Sequence, residues 1–179
     1  MSTRKAFRIW SALIAVTIVL GAGLAFASHR RGCWKYADSL INWYNGGTGD
    51  YKNIYEEEAK TDADSWHNFT DVNFNSVAAA GTTDHLNAYN GFYGNTGWLG
   101  LGEIRAYSGC IIKNGRIRLN QTYLDNGSYT RTNKESIACH EIGHLLGLDH
   151  SPNATSCMSH TLTAAQPDTH DRDVVNSIY

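Results

Sequence analysis

The chain has 179 residues, enough for one domain with a buried core. Fifteen Lys and Arg stand against 17 Asp and Glu, a formal charge of −2, so no basic excess marks a nucleic-acid partner.

In chain order, the first pattern is that of a secretory signal. Arg4, Lys5 and Arg8 form a basic start. Residues 9–20 are apolar apart from Ser11 and Thr17, and Ala25-Phe26-Ala27 fits the small-x-small cleavage rule. Residues 1–27 are therefore expected to be a signal peptide, and residues 28–179 a single secreted, extracellular domain. An uncleaved membrane anchor is the second reading, because apolar character persists to Ala27. Cleavage removes three basic and no acidic residues and leaves 12 Lys and Arg against 17 Asp and Glu, a charge of −5.

Residues 39–44 are apolar and aromatic and end at Asn45-Gly46-Gly47, which predicts a first strand. Asp50 predicts the start of a helix to about Phe69, with Tyr51, Tyr55, Ala59, Ala63 and Trp66 as its apolar stripe. Glu56, Glu57 and Glu58 splay around that helix and are expected to face mostly solvent. Residues 72–77 alternate with period two, as a half-buried second strand does. Residues 85–89 read as a third strand, and residues 90–97, rich in Gly and Asn, as a loop. Residues 98–107 should be the fourth strand. Asn114-Gly115 is a turn signal, after which residues 117–124 predict a fifth strand. Thr132 and Glu135 have capping-box spacing, so a helix is expected to start near Thr132, with Ile137, Leu145 and Leu148 toward the core. Asp168 or Thr169 can cap a final helix whose apolar face is Val174, Val175, Ile178 and Tyr179. No internal repeat and no second domain is read.

The chemistry concentrates in His140-Glu141-Ile142-Gly143-His144-Leu145-Leu146-Gly147-Leu148-Asp149-His150. On a helix, His140 and His144 lie one turn apart on nearly the same face, so both imidazoles can reach one zinc ion. Glu141 is close enough to act on a water beside the metal without displacing a ligand. Ten residues of unbroken helix would carry His150 roughly 15 Å from His140, so the helix must end between His144 and His150. Gly147 supplies that break, because glycine accepts the left-handed conformation that terminates helices. Met158 is the one methionine of residues 28–179, and it lies just beyond the third histidine.

Cys33, Cys110, Cys139 and Cys157 form an even set, and two disulfides in a secreted domain allow three pairings. Cys139–Cys157 with Cys33–Cys110 is favoured, since Cys139 precedes His140 and Cys157 precedes Met158. That bond would clip the metal-binding helix to the segment around Met158.

The sequence from His140 to His150 resembles the extended H-E-x-x-H-x-x-G-x-x-H pattern of the metzincin metalloproteases, and Ser156-Cys157-Met158-Ser159 looks like their Met-turn. The looser order of elements over residues 34–179 is similar to the matrixin branch. The resemblance implies an α+β, layered α/β fold: a twisted, mostly parallel five-stranded sheet with one antiparallel edge strand, an active-site helix and a C-terminal helix. It implies a zinc-dependent endopeptidase with one catalytic zinc on His140, His144 and His150, and Glu141 as general base. It also implies that the fourth strand pairs with an extended peptide substrate. Gly100, Leu101 and Gly102 fit that role because glycines leave the backbone open; a glycine-weakened edge without ligand is the other reading. By the same resemblance, residues 161–167 form the wall of the pocket for the residue after the scissile bond. The expected partner is a protein or peptide substrate, acted on by a monomer, with a membrane involved only if the signal segment stays attached. Some matrixins carry structural zinc and calcium. Their Gly-Asp-x-His-style signature is absent here, so calcium is left open without ligands. His29, His67, His85, His160 and His170 lack paired ligand spacing and read as surface or satisfied histidines. A secreted non-catalytic zinc-containing protein-binding module is the alternative function; Glu141 argues against it, since a structural site needs no adjacent carboxylate.

Overall fold

A computed structural model describes residues 29–179. The expected signal segment lies outside them. Among the described residues no helix is long and apolar enough to cross a membrane.

Five strands form one sheet: β1 (Leu40–Asn45), β2 (Asn73–Ser76), β3 (His85–Gly91), β4 (Gly100–Ser108) and β5 (Ile111–Asn120), in the order β2-β1-β3-β5-β4. All neighbouring pairs are parallel except β4 with β5. The expected mixed sheet with an antiparallel edge is therefore present. Side chains alternate along each strand. Ile41, Trp43, Phe74, Leu86, Ala88, Ile117 and Leu119 are buried on one face. Helices α1 (Asp50–Glu56) and α4 (Arg131–Leu145) cover that face with Tyr51, Ile54 and Tyr55 and with Ile137, Ala138, Ile142 and Leu145. The helix α5 (Thr169–Ile178) closes one side with Val174, Val175 and Ile178. It is capped by Asp168, which exchanges hydrogen bonds with Asp171.

Several sequence expectations need correction. The helix expected over residues 50–69 is interrupted. After α1 the chain makes a π-helical turn, Glu57–Thr61, then breaks and resumes as the short α2 (Trp66–Phe69). Ser65 Oγ accepts from Asn68 N–H at 3.3 Å, and Asn68 Nδ2 donates to the carbonyls of Lys60 and Asp62. This local capping competes with helix continuation. It leaves Ala63 exposed and turns Trp66 under α4, where its indole N–H donates to Cys139 O. Asn114-Gly115 is not a turn but the interior of β5. A Cβ on Gly115 would lie 2.3 Å from Tyr36 Oη, so the glycine serves close packing. The β4–β5 turn is at Gly109, with φ 58. β5 ends at Asn120, and Gln121–Leu124 is a helical turn, α3, rather than strand. The cap of α4 is Thr130 in a reciprocal pair with Asn133, two residues ahead of the expected Thr132.

Glu58, expected in solvent, is only 3% exposed. Burial pushes its carboxyl from 4.5 up to about 9, helped by Glu135, Asp62 and Glu57 and opposed by Arg131. A folded-state pKa above the unfolded value means the folded chain holds a proton that the unfolded chain has released. Stability should therefore fall as pH rises from about 4.5 toward 9. Glu58→Gln removes this dependence. Its melting temperature is expected to exceed wild type by about 3 °C or more at pH 8 and to match it near pH 4. Thermal melts at the two pH values check this, and an equal shift at both contradicts it.

Candidate metal centre and substrate groove

Helix α4 delivers His140, Glu141 and His144, and its termination delivers His150. Leu148 N–H bonds Gly143 O at 3.0 Å and Gly147 N–H bonds His144 O at 3.3 Å, the double closure of a Schellman cap. Gly147 sits at φ 101, where side-chain-bearing residues are strained, and a Cβ there would meet Trp34 O at 2.6 Å. Gly147→Ala is expected to cost about 1–3 kcal/mol of stability, readable in denaturant unfolding. A change within about 0.5 kcal/mol would show that the cap tolerates a side chain.

The reversal brings three imidazoles together. Ring centres are 4.5 Å apart for His140 and His144, 4.8 Å for His144 and His150, and 5.1 Å for His140 and His150. One nitrogen from each lies within 4.8 Å of the others, so the three can converge on one ion. His140 Nδ1 is 2.8 Å from Cys157 O, and His144 Nδ1 is 2.9 Å from Leu148 O. A carbonyl only accepts, so each Nδ1 carries the proton and each Nε2 presents a bare lone pair, the state that metal ligation needs. Burial also holds His140 and His144 below the usual imidazole range, His144 at about 3. His150 is lowered too, by burial and by His160, against the raising effect of Asp149. Its Nδ1 is 3.5 Å from Asp149 Oδ1. Three neutral imidazoles without a thiolate suit a borderline divalent metal such as zinc.

Met158 is fully buried beneath α4. A Cβ on Gly143 would lie 2.3 Å from Met158 Sδ, so the helix rests directly on the thioether between His140 and His144. The Cys139–Cys157 and Cys33–Cys110 disulfides are both formed. The first joins the neighbour of His140 to the residue whose carbonyl orients that ring. The second ties the N-terminal segment to the β4–β5 turn, and Arg31 N–H bonds Gly147 O at 2.7 Å.

Glu141 Oε2 accepts from Gly102 N–H at 2.7 Å. Burial raises its carboxyl to about 7, against the lowering effects of that hydrogen bond and of Arg31. Cβ atoms on Gly100 and Gly102 would lie 2.8 Å and 3.1 Å from Glu141 atoms. The glycines thus allow β4 to approach the carboxylate, a reason beyond the open backbone expected from sequence. Leu101 pairs with Arg118 on β5 and points its side chain away from α4.

A groove of about 420 Å³ runs between β4 and the segment after Met158, lined by Trp98, Leu99, Gly100, His140, Glu141, His150, Ser159, His160 and Leu162 among others. The sequence matches the family model described as matrixin over residues 1–179. The chain belongs to the matrixin family. Among curated proteins no match is found. Matrixin membership supports a zinc metallopeptidase acting on protein or peptide substrates, and the convergent histidines fit that metal. Matrixins are generally secreted or extracellular, and the two disulfides fit such an oxidising setting.

Sequence reasoning about this matrixin missed two features near the site. His160 stacks at 4.0 Å on His150 and lines the groove; its position two residues past Met158 was the only signal. His29 is buried, with Nε2 2.9 Å from Asp171 Oδ1, and its carbonyl accepts from Asp149 N–H at 2.5 Å beside His150. Of residues 161–167, Leu162 reaches the groove.

Proposed function

We propose that this matrixin is a secreted zinc endopeptidase, with residues 1–27 as signal peptide and residues 28–179 as its catalytic domain. His140, His144 and His150 hold the zinc, Glu141 is the general base, and Met158 is the floor beneath the ligands. A zinc ion held there supplies Lewis acidity, polarising the scissile carbonyl and making water nucleophilic near neutral pH. Glu141 takes the proton of the attacking water and passes it to the leaving amine nitrogen. Burial, which raises this carboxyl, favours the protonated form it holds between the two transfers. β4, whose outer edge pairs with no strand among the described residues, holds the peptide extended along Gly100, Leu101 and Gly102.

The observation that carries this reading is the carboxylate of Glu141 in the same groove as three convergent, neutral imidazoles. A purely structural zinc site is closed by a fourth protein ligand and needs no buried base beside it. The test is incubation with a diverse peptide mixture, with and without chelator, followed by mass spectrometry of the products. Chelator-sensitive cleavage at internal bonds is expected. Absence of any cleavage by zinc-loaded protein would favour the non-catalytic binding module.

A further inference from the structure

The sheet face turned away from α1 and α4 carries a concentration of positive charge that peptide hydrolysis does not use. Gly100, Gly102, Ile117 and Leu119 face inward, so strand alternation puts Glu103 of β4 and Arg116 and Arg118 of β5 outward, and Arg105, the extra residue where the β4–β5 register shifts, joins them through Glu103. Glu103 Oε2 accepts from Arg116 Nε at 2.9 Å and lies 2.8 Å and 3.0 Å from the Nη2 atoms of Arg116 and Arg118. Arg105, with its side chain 52% exposed, stands 3.6 Å from Glu103 Oε1. Three guanidinium groups against one carboxylate leave two positive charges over. Lys113 is already paired with Asp84 at 3.1 Å and adds no further excess. This excess sits on a chain whose residues 28–179 carry a charge of −5.

A sheet staple would need one arginine for Glu103, not three, and an exposed pair at 3.6 Å contributes little to stability. Arg118 ties the charged patch to the aromatic residues beside it. Its guanidinium lies 5.0 Å from the ring centre of Tyr93 and 5.2 Å from that of Trp98. Trp98 in turn lines the substrate groove. The charged patch is therefore continuous with the groove's rim through one shared side chain.

We propose that Arg105, Arg116 and Arg118 form a docking surface for an acidic segment of the polypeptide substrate, flanking the bond to be cleaved. The proposal rests on the endopeptidase reading above. A polypeptide is the favoured occupant because a single extended chain can lie along β4 and pass over Trp98 onto the patch. Carboxylates match the planar guanidinium groups, which offer paired donors. The negative balance of the rest of the chain disfavours an acidic segment elsewhere, so this face is where it settles.

The test compares two peptides with the same cleavable core, one flanked by Asp and Glu, the other by Asn and Gln. In parallel, fluorescence anisotropy measures binding of the labelled acidic peptide to zinc-loaded Glu141→Gln protein, which needs no turnover. The acidic peptide should show about fivefold higher kcat/KM, carried by KM. Salt near 1 M should erase the preference. Arg105→Glu should erase it while leaving the neutral peptide unchanged, and Glu103→Gln should enlarge it. Equal, salt-insensitive kcat/KM for both peptides overturns the proposal. So does a sulfated polysaccharide that binds the patch where the acidic peptide does not. If neither peptide is cleaved, the endopeptidase reading fails and anisotropy alone decides. Binding that is lost in Arg105→Glu then upholds the surface, and no binding removes it.

Discussion

Glu141→Gln is expected to lower the rate of peptide cleavage by about 10²- to 10⁴-fold while leaving zinc content unchanged. The substitution keeps side-chain length and shape, so the three imidazoles keep their positions on α4 and its cap. What it removes is the group that accepts a proton. Glutamine can also keep the contact with β4, since its carbonyl oxygen can still accept the Gly102 N–H that Glu141 Oε2 now takes at 2.7 Å. Measuring kcat and zinc stoichiometry on the same preparation separates base from ligand. Loss of activity together with loss of zinc would recast Glu141 as a residue that supports the metal. Full activity in the variant would place the base elsewhere.

Removing the two disulfides should produce different defects. The Cys139–Cys157 bond closes a sequence separation of 18 and the Cys33–Cys110 bond one of 77. Chain entropy alone predicts losses of about 3 and about 4.5 kcal/mol on removal. Metal binding should respond in the opposite order. Cys157 is the residue whose carbonyl accepts from His140 Nδ1 at 2.8 Å. Loosening that carbonyl lets the ring turn, and groups that orient metal ligands are typically worth 10–100-fold in affinity. The double substitution Cys139→Ser with Cys157→Ser is therefore expected to weaken zinc binding by about tenfold or more. Replacing Cys33 and Cys110 with serine should lower stability further but change zinc affinity less. Competition with a chromogenic chelator and denaturant unfolding together read both quantities. Equal effects of the two pairs on zinc affinity would remove the orienting role of the Cys157 carbonyl.

The three-histidine stretch was legible in sequence because its geometry is local. The helical period sets His140 against His144, and Gly147 is needed to bring His150 back, all within eleven residues. Alternation in residues 72–77 and the glycine-rich edge report single strands without reference to partners, whereas the fold class came from the resemblance to the matrixin branch. What escaped was set by contacts between distant segments. Gly115 looks like a turn residue, yet it is small because Tyr36 Oη approaches from the N-terminal part of the chain. The helix over residues 50–69 breaks because Asn68 bonds backward to Lys60 and Asp62 and Trp66 reaches Cys139. Glu58 is buried by packing that the run of three glutamates does not disclose. His160 gains its place only through the path the chain takes after Met158. The carbonyls of Cys157 and Leu148, which set the tautomers of His140 and His144, leave no trace in side-chain identity. The glycines of β4 read in sequence as an open edge. Their further cause, room for Glu141, needed the strand and helix seen together.

We hold that one zinc on His140, His144 and His150 makes this matrixin a peptidase. The most direct measurement is a chelator titration of purified protein, with zinc content and peptide cleavage read from the same samples and zinc then added back. Activity is predicted to fall in proportion to zinc lost and to return with one equivalent. Cleavage that persists after the zinc is gone, or a fully zinc-loaded protein that cleaves no peptide, would contradict the claim.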